Sequence, residues 1–358
     1  MGKTKNKKQV SLDDIGKPGD QLSHVDVDDL IPLPKPLDGR EPEWKPLSDD
    51  AKGKYEATLD DTLILNILKP KSKQEEMELV RKFLTGVEKL FNKEDNWPFL
   101  QPLMASMEHC AGCQTCNDAC HVYEASGRNP IYRPTYRSEV LRRIYRDYIK
   151  KGGKYTNKWK SGGDIPLNWL TIARLAELSY RCNIDRRCAQ TCPLGVDNAL
   201  IAREIRKVLS QEMGINTTEL HEKGTVLQLN AGSSTGMTPE IVKDNVDFID
   251  EDTSERVGFE VKTPWDKKGA DILLIHNAGE ILSWPDNVGA FTVLFNKAGL
   301  NWTMSSEIAA YDNVNYGLFY EDVQLARVVV KHMSAAKNLG VKKIVLGECG
   351  HATKSLTV

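Results

Sequence analysis

Apolar residues recur at helical spacing in four segments before residue 215. The first helix is predicted to begin near Ser72, because Ser72 and Glu75 have the spacing of a capping box. The apolar positions that follow lie on one face of that helix: Met77, Val80, Leu84, Val87 and Phe91. Three more helices are predicted over residues 138–150, 167–180 and 196–212. This part of the chain is therefore expected to be helical.

The pattern changes after residue 270. The runs DILLI (271–275), NWTMS (301–305) and KKIVL (342–346) predict three strands. A helix between the first two is predicted from Pro285 to Gly299, and a longer one before the third ends at Gly340. The apolar positions assigned to the longer helix are Val323, Ala326, Val330 and Met333. Strands that alternate with helices predict a parallel sheet with right-handed crossovers, and three strands make half of a doubly wound domain.

These patterns predict an α+β multidomain chain with four parts. Residues 1–60, rich in Lys, Asp and Pro, are expected to form an extended arm that is either disordered or ordered against a partner. Residues 61–215 form the helical domain, and residues 270–358 the α/β part. The polar segment 216–269 contains the acidic run DFIDEDTSE and is predicted to be a linker or a long surface loop.

The charge balance points to no particular class of partner. The chain of 358 residues has 48 Lys and Arg against 50 Asp and Glu, so we expect no field that recruits nucleic acid or an anionic membrane. The sequence shows no signal peptide and no run near the ~18 apolar residues that a membrane helix needs. We therefore expect a cytoplasmic protein that reaches a membrane only through a partner.

Seven of the eight cysteines lie between residues 110 and 192, and such clustering favours metal binding over disulfides. The first group has the spacing C-x2-C-x2-C-x3-C, which is typical of iron–sulfur cluster sites: Cys110, Cys113, Cys116 and Cys120. Structural zinc is the alternative, although zinc sites usually pair two well-separated knuckles. The spacing predicts an iron–sulfur cluster.

The second group, Cys182, Cys188 and Cys192, has Asp185 where the same spacing calls for a cysteine. In two-cluster proteins the fourth cysteine of each motif binds the other cluster. This exchange gives one 4Fe-4S cluster four thiolates, from Cys110, Cys113, Cys116 and Cys192. It leaves the second with three, from Cys120, Cys182 and Cys188.

Three interpretations of Asp185 stay open. Its carboxylate binds the fourth iron as a hard ligand, or the position is empty and the cluster is of the 3Fe-4S type. Alternatively, Asp185 is solvated or pairs with Arg186 or Arg187. His121 follows Cys120 in the sequence and is expected to be a hydrogen-bond donor near the cluster rather than a ligand.

Two further features carry candidate chemistry. Cys349 lies in GECGH (347–351), directly after a predicted strand, where open α/β sheets bind ligands. It is a candidate reactive thiol or metal ligand with His351 for proton transfer, or else a packed turn residue. Residues 131–155 are basic and rich in tyrosine, which predicts either a docking face for an acidic partner, anionic lipid or nucleic acid, or an ordinary solvated helix face.

The two cysteine groups, together with ADILLIHNAGE, NWTMSS and GECGHATK, resemble the HdrD-type family of heterodisulfide reductase iron–sulfur proteins over residues 60–358. The resemblance implies an α/β domain of the CCG-repeat type and a protein on the inner face of the cell membrane, held by a haem-b partner (DsrM-like). It implies that electrons pass from quinol through haem and two 4Fe-4S clusters to a catalytic iron–sulfur cluster near Cys349. The acceptor implied is a disulfide or trisulfide on a small thiol carrier protein (DsrC-like).

This sequence departs from the family pattern at Asp185 and in having one CCG element instead of two. With Cys349 alone, the chain is expected to need thiolates from elsewhere for a catalytic cluster. The leading hypothesis is an electron-transfer and catalytic subunit of a thiol/disulfide-reducing complex. The alternatives are a pure electron relay, the iron–sulfur subunit of a flavin-dependent dehydrogenase of the glycolate or glycerol-phosphate type, and a zinc-stabilised interaction module.

Overall fold

The structure, a computed structural model, describes residues 65, 67, 70–126, 128, 132–150, 167–347 and 350–357. All of these residues belong to one unit of the chain, residues 46–358. The predicted arm 1–60 lies outside the described residues, as does Cys349. None of the described helices is long and apolar enough to cross a membrane.

The helical part follows the predicted order. Its helices are α1 (Lys73–Leu90), α2 (Leu100–His109), α3 (His121–Ala125), α4 (Pro134–Ile144, continued by a π-helix Tyr145–Ile149), α5 (Trp169–Tyr180), α6 (Arg187–Thr191) and α7 (Asn198–Met213). Ser72 caps α1 as predicted, since its Oγ accepts a hydrogen bond from the Glu75 backbone N–H at 3.2 Å. The Glu75 carboxylate accepts from the Lys71 backbone N–H instead of completing the capping box.

The core of the helical part is formed by α1, α5 and α7 with α2 and α4. Its buried apolar side chains include Phe83, Leu141, Ile172 and Ile201. Gly86 allows α1 to approach α7 closely, because a Cβ at this position would lie 2.5 Å from Cγ1 of Val208. Almost every residue of α7 is buried, which places this helix at the centre of the unit.

The prediction that residues 216–269 form a linker is wrong. They contain a π-helix (Glu219–Val226), α8 (Leu227–Ala231) and α9 (Pro239–Val257). The acidic run lies within α9, whose buried positions Val242, Val246 and Ile249 pack against the α/β part. Spacings of four and three residues place these apolar side chains on one stripe, while most of the acidic residues occupy the solvent face.

The α/β part contains β1 (Ile272–Ile275), α10 (Ala278–Ser283), α11 (Pro285–Lys297), β2 (Trp302–Thr303), α12 (Asp322–Leu339), β3 (Lys343–Leu346) and α13 (Gly350–Thr357). The three strands form a parallel sheet in the order β2-β1-β3, which confirms the predicted parallel sheet. Leu273, Leu274 and Ile275 of the central strand are almost completely buried.

The apolar face predicted for the longer helix does not face the core. Val323, Val330 and Met333 are 46%, 59% and 49% exposed, and Ala326 is exposed as well. The buried positions of α12 are instead Leu325, Val328, Ala335, Ala336 and Leu339, together with His332. This helix carries apolar residues on two faces, and packing against the sheet selects the other one.

Candidate iron–sulfur site

The two cysteine groups lie on neighbouring loops of the helical part. Cys110 ends α2 and Cys120 precedes α3, whereas Cys182 follows α5 and Cys192 ends α6. Cys116 and Cys188, one from each group, lie in the same buried cluster. The fold therefore brings together cysteines that are separated by about seventy residues in the sequence.

The loops that carry the cysteines turn sharply between them. Gly112 and Gln114, on either side of Cys113, both have left-handed backbone conformations, with φ of 65° and 66°. In the second group Ile184 and Arg186, on either side of Asp185, have φ of 55° and 62°. Left-handed conformations at non-glycine residues are uncommon and costly, and they cluster at functional sites. Their repetition around position 185 gives this residue the same backbone setting as Cys113.

The thiols differ in burial and in acidity. All seven cysteines that the structure describes are free; Cys116 and Cys188 are buried, and Cys113 is exposed. Burial raises the pKa of the Cys116 thiol to about 12, and neighbouring Cys188, Cys110 and Cys192 add to the shift. Burial also raises the pKa of Cys188 to about 11, reinforced by Asp197 and Cys182. Iron binding at these buried positions must therefore displace protons.

Hydrogen bonds reach four of the sulfur atoms. Ser138 Oγ lies 3.9 Å from Cys110 Sγ, and Asn198 Nδ2 lies 3.9 Å from Cys116 Sγ. The Ile184 backbone N–H donates to Cys182 Sγ at 3.4 Å, and Thr115 Oγ1 lies 3.4 Å from Cys113 Sγ. Donors to sulfur tune the potential of an iron–sulfur cluster. Sequence reasoning missed Ser138 and Asn198, because neither belongs to the cysteine spacing pattern.

The donor chemistry fits the expected clusters. Neighbouring free thiols are the ligands of iron–sulfur clusters, and hydrogen-bond donors surround them. Cys116 interacts electrostatically with Cys188 first and also with Cys110 and Cys192, so thiols of both groups lie near it. In the described ranges no three His, Cys, Asp or Glu side chains are gathered around one point so as to hold a single metal ion.

Asp185 lies at the surface of the second loop. Its side chain is 38% exposed, and its Oδ2 lies 3.5 Å from Nε2 of His121. Its Oδ1 accepts a hydrogen bond from the Arg187 backbone N–H at 3.1 Å, and the Arg187 guanidinium lies 2.6 Å from the same His121 nitrogen. Arg186 turns away and pairs with Asp197 at 2.7 Å. Ligation of iron by Asp185 stays a prediction, and His121 contacts this carboxylate beside the second cysteine group.

The second cysteine loop is anchored to the α/β part through Arg206 of α7. This buried guanidinium donates to the backbone carbonyls of Ser179, at 2.7 Å, and of Cys182. It also donates to the carbonyl of Phe319, at 3.3 Å, in the segment before α12. One side chain thus ties the loop of Cys182 to the other half of the unit.

The carboxyl edge of the sheet carries the second set of candidate residues. His351 lies in the first turn of α13, is exposed, and has its ring centroid 4.9 Å from that of Phe319. His276, directly after β1, is buried; its Nδ1 lies 3.2 Å from Glu280, and its Nε2 has no hydrogen-bond partner among the described residues. Sequence reasoning did not single out His276, and the catalytic roles of Cys349 and His351 stay predictions.

The basic stretch is partly structural. Tyr132 is buried and donates to Glu177 at 2.7 Å, and Arg137 is buried as well. Arg143 pairs with Glu139 within α4 at 2.7 Å. Tyr136 and Tyr148 remain exposed. The described part of the stretch, residues 132–150, therefore combines core residues with half-buried arginines and exposed tyrosines, and its role in docking stays a prediction.

Comparison with known proteins supports the iron–sulfur assignment. Residues 106–196 match the family model of the 4Fe-4S dicluster domain. The chain is 33% identical, over 257 residues, to the Hdr-like menaquinol oxidoreductase iron-sulfur subunit 2 of Archaeoglobus fulgidus. It is 32% identical, over 259 residues, to the Hdr-like menaquinol oxidoreductase iron-sulfur subunit of Archaeoglobus profundus. Each alignment covers 68% of this chain and 44% of the relative, so the chain spans less than half the length of these proteins. No solved structure matches the chain.

Proposed function

We propose that the chain is the iron–sulfur subunit of an Hdr-like, membrane-associated oxidoreductase that passes electrons from quinol to a disulfide or trisulfide acceptor. The observation that carries this proposal is the placement of two cysteine groups on neighbouring loops, with the second tied to the carboxyl edge of a parallel sheet. The 4Fe-4S dicluster match and the similarity to menaquinol oxidoreductase subunits support it.

The residues have separate tasks in this proposal. The first 4Fe-4S cluster is held by Cys110, Cys113, Cys116 and Cys192. The second is held by Cys120, Cys182 and Cys188, with Asp185 as the fourth ligand. When bound, these clusters supply one-electron transfer. The protein contributes buried thiolates, donors to sulfur and a rigid helical frame that fixes their separation.

Electrons enter at the first cysteine group and leave at the second. Residues 111–115 are exposed, so a reductant can approach Cys113 directly. The proposed reductant is a haem-b membrane subunit (DsrM-like) in a peripheral complex on the cytoplasmic face of the membrane. Cys182, by contrast, packs against the same buried cluster as Phe319 of the α/β part.

The acceptor is reduced at the carboxyl edge of the sheet. Two electrons and two protons convert one disulfide into two thiols, and His351 is proposed to deliver a proton there while Cys349 serves as thiol or cluster ligand. The proposed subunit is DsrK-like, with a small carrier protein (DsrC-like) in sulfite reduction as its acceptor. The CCG-type character of the α/β half belongs to this proposal.

Anaerobic chemistry on the reconstituted protein tests the proposal. Iron and acid-labile sulfide should be present in amounts for two clusters, and dithionite-reduced protein should be reoxidised by a disulfide or trisulfide with stoichiometric thiol release. Cys349→Ser should abolish thiol release and leave the EPR signals of both clusters intact. Zinc without sulfide, or clusters that no disulfide or trisulfide reoxidises, would overturn the proposal. Co-purification with a flavoprotein in place of a haem-b subunit would favour the dehydrogenase alternative.

A further inference from the structure

Phe319 lies between the second cysteine group and the first turn of α13. Its partly buried side chain packs against the cluster that contains Cys116, Ile184 and Cys188, against which Cys182 packs as well. On its other side, its ring meets the ring of His351 edge-on, with centroids 4.9 Å apart and planes at 69°. Such edge-to-face pairs favour a fixed mutual geometry.

The charges around the second cysteine loop also act on α13. Lys354, three residues after His351 on α13, has a pKa lowered first by burial and then by Arg186 and Arg203, while Asp197 acts to raise it. Arg186 and Asp197 form the ion pair that flanks the second cysteine loop, at 2.7 Å. Two residues of α13 thus interact with the surroundings of the second cysteine group, His351 through the ring of Phe319 and Lys354 through the charges of Arg186 and Asp197.

Two buried arginines of α7 bind the backbone at Phe319. Arg206 Nη1 donates to its carbonyl at 3.3 Å, and the same guanidinium donates to the carbonyl of Cys182. The neighbouring Leu318 carbonyl accepts from Arg203 Nε at 3.0 Å. Charged donors make strong hydrogen bonds. Because Arg206 binds the backbone of both Phe319 and Cys182, it fixes the position of Phe319 relative to the second cysteine loop.

We propose that Phe319 is a positioning residue that sets the separation between the second cysteine group and the His351 end of α13, and so makes this group the exit of the dicluster domain. This inference rests on the proposed function for the direction of electron flow. It adds the residue that determines the geometry of the exit, and it assigns no chemistry to Phe319 itself.

Substitutions of Phe319 test the inference in the full, reconstituted protein. Phe319→Ala should leave both cluster EPR signals and the reduction of the clusters by dithionite unchanged. Reoxidation by a disulfide or trisulfide acceptor should slow by about tenfold to a hundredfold, because small misplacements have effects of this size. Phe319→Tyr, which keeps the ring, should stay near the wild-type rate. Phe295→Ala is the matched control, since Phe295 is also a partly buried phenylalanine in edge-on ring contacts, but in the core around β2.

Hydrogen exchange supplies a readout that needs no acceptor. In Phe319→Ala the amides of residues 350–357 should exchange about tenfold faster, because the ring contact and the packing beneath it are lost. In Phe295→Ala they should not change. Equal reoxidation rates and equal exchange in Phe319→Ala and wild type would overturn the inference. Wild-type protein that is never reoxidised would overturn the proposed function instead, while exchange at 350–357 still decides whether Phe319 positions α13.

Discussion

The substitution Glu204→Gln is expected to lower the free energy of unfolding by about 3–5 kcal/mol. This is the range for removing one partner from a buried ion pair. The carboxylate is completely buried on α7, where its two oxygens lie 2.7 Å from Arg203 Nη1 and 2.9 Å from Lys207 Nζ. Asn96 Nδ2 also donates to it, at 2.9 Å. All three neighbours are donors, so Glu204→Gln removes the charge and turns an amide N–H toward one of them.

Asp322 is the other carboxylate in this network. It accepts from Lys207 at 2.9 Å and also pairs with Arg203. Burial acts to raise the pKa of Asp322, but Arg203 and Lys207 outweigh it and the net pKa is lowered. In Glu204→Gln this single anion faces two nearly buried cations, and the uncompensated charge is the source of the predicted loss.

Glu78→Gln is the matched control. Glu78 and Arg81 form a pair with the same 2.7 Å separation, but the side chain of Glu78 is 48% exposed and that of Arg81 is 68% exposed. Water and salt screen exposed pairs, so this variant should unfold close to the wild type. The two variants make the same chemical change at an ion pair of the same separation, but Glu204 is buried among three donors and Glu78 is exposed beside one.

Anaerobic thermal unfolding followed by circular dichroism measures the difference. At about 2.1 cal/mol/K per residue, a unit of residues 46–358 shifts its Tm by roughly 1.5 °C for each kcal/mol, so Glu204→Gln should lose about 4–8 °C. Combining it with Lys207→Met should cost less than the sum of the two single changes, because the double variant removes one charge of each sign. A Tm within about 2 °C of the Glu78→Gln value would refute the reasoning that burial sets the cost.

Three further outcomes follow from the site and from α9. Asp185→Cys should convert the EPR spectrum of the second cluster to that of an ordinary four-thiolate cluster, and an unchanged spectrum would remove Asp185 from the ligands. Asn198→Leu should make the midpoint potential of the first cluster more negative, because the donor to Cys116 Sγ at 3.9 Å stabilises the reduced state; EPR-monitored titration checks this, and an unmoved potential contradicts it. Burial raises the pKa of Asp250 from 3.8 to about 6, so the folded protein binds the proton of this carboxyl more tightly than the unfolded chain does. The resulting contribution to the free energy of unfolding is complete below pH 3.8 and is lost as the pH rises through 6. The loss amounts to up to about 3 kcal/mol, and Asp250→Asn should flatten this part of the stability–pH curve; an identical pH dependence would contradict the assignment.

Much of the fold could be predicted because its signals are local. Ser72 caps α1, Gly340 follows α12 in a left-handed conformation, and the run 271–275 contains the central strand. Each signal lies within a few residues of the feature it specifies. The apolar pattern of residues 196–212 likewise predicts a helix directly after the second cysteine group, and α7 begins there at Asn198.

Other features depend on contacts that no local pattern contains. The acidic run dominates the composition of α9, so the apolar stripe of this helix is hard to recognise in the sequence. The capping residues at its two ends, Thr238 and Gly258, are local signals of a helix. The exposed face of α12 could not be predicted, because the helix has two apolar faces and the sheet selects one. Periodicity identifies an amphipathic helix but does not say which element covers it.

In the candidate site, too, some features follow from local sequence patterns and others from contacts between distant residues. The spacing of the cysteines identifies them, but the neighbour of Asp185 is His121, which lies beside the other cysteine group. Phe319 reaches the second cysteine group from the segment before α12, and Arg206 reaches the loop of Cys182 from α7. Neither residue type suggests an iron–sulfur site on its own, so only the tertiary structure could reveal them.

The buried charges of α7 explain how the two halves hold a defined geometry. Apolar packing alone tolerates repacking with small shifts, whereas a buried guanidinium is satisfied only when its acceptors occupy particular positions. Arg206 takes its acceptors from both halves, the carbonyls of Ser179 and Cys182 on one side and of Phe319 on the other. Sliding one half against the other would break the bond to the Phe319 carbonyl and leave this buried guanidinium with acceptors from one half only. The same bonds that satisfy Arg206 therefore fix the loop of the second cysteine group relative to the ring of Phe319, and through it to α13.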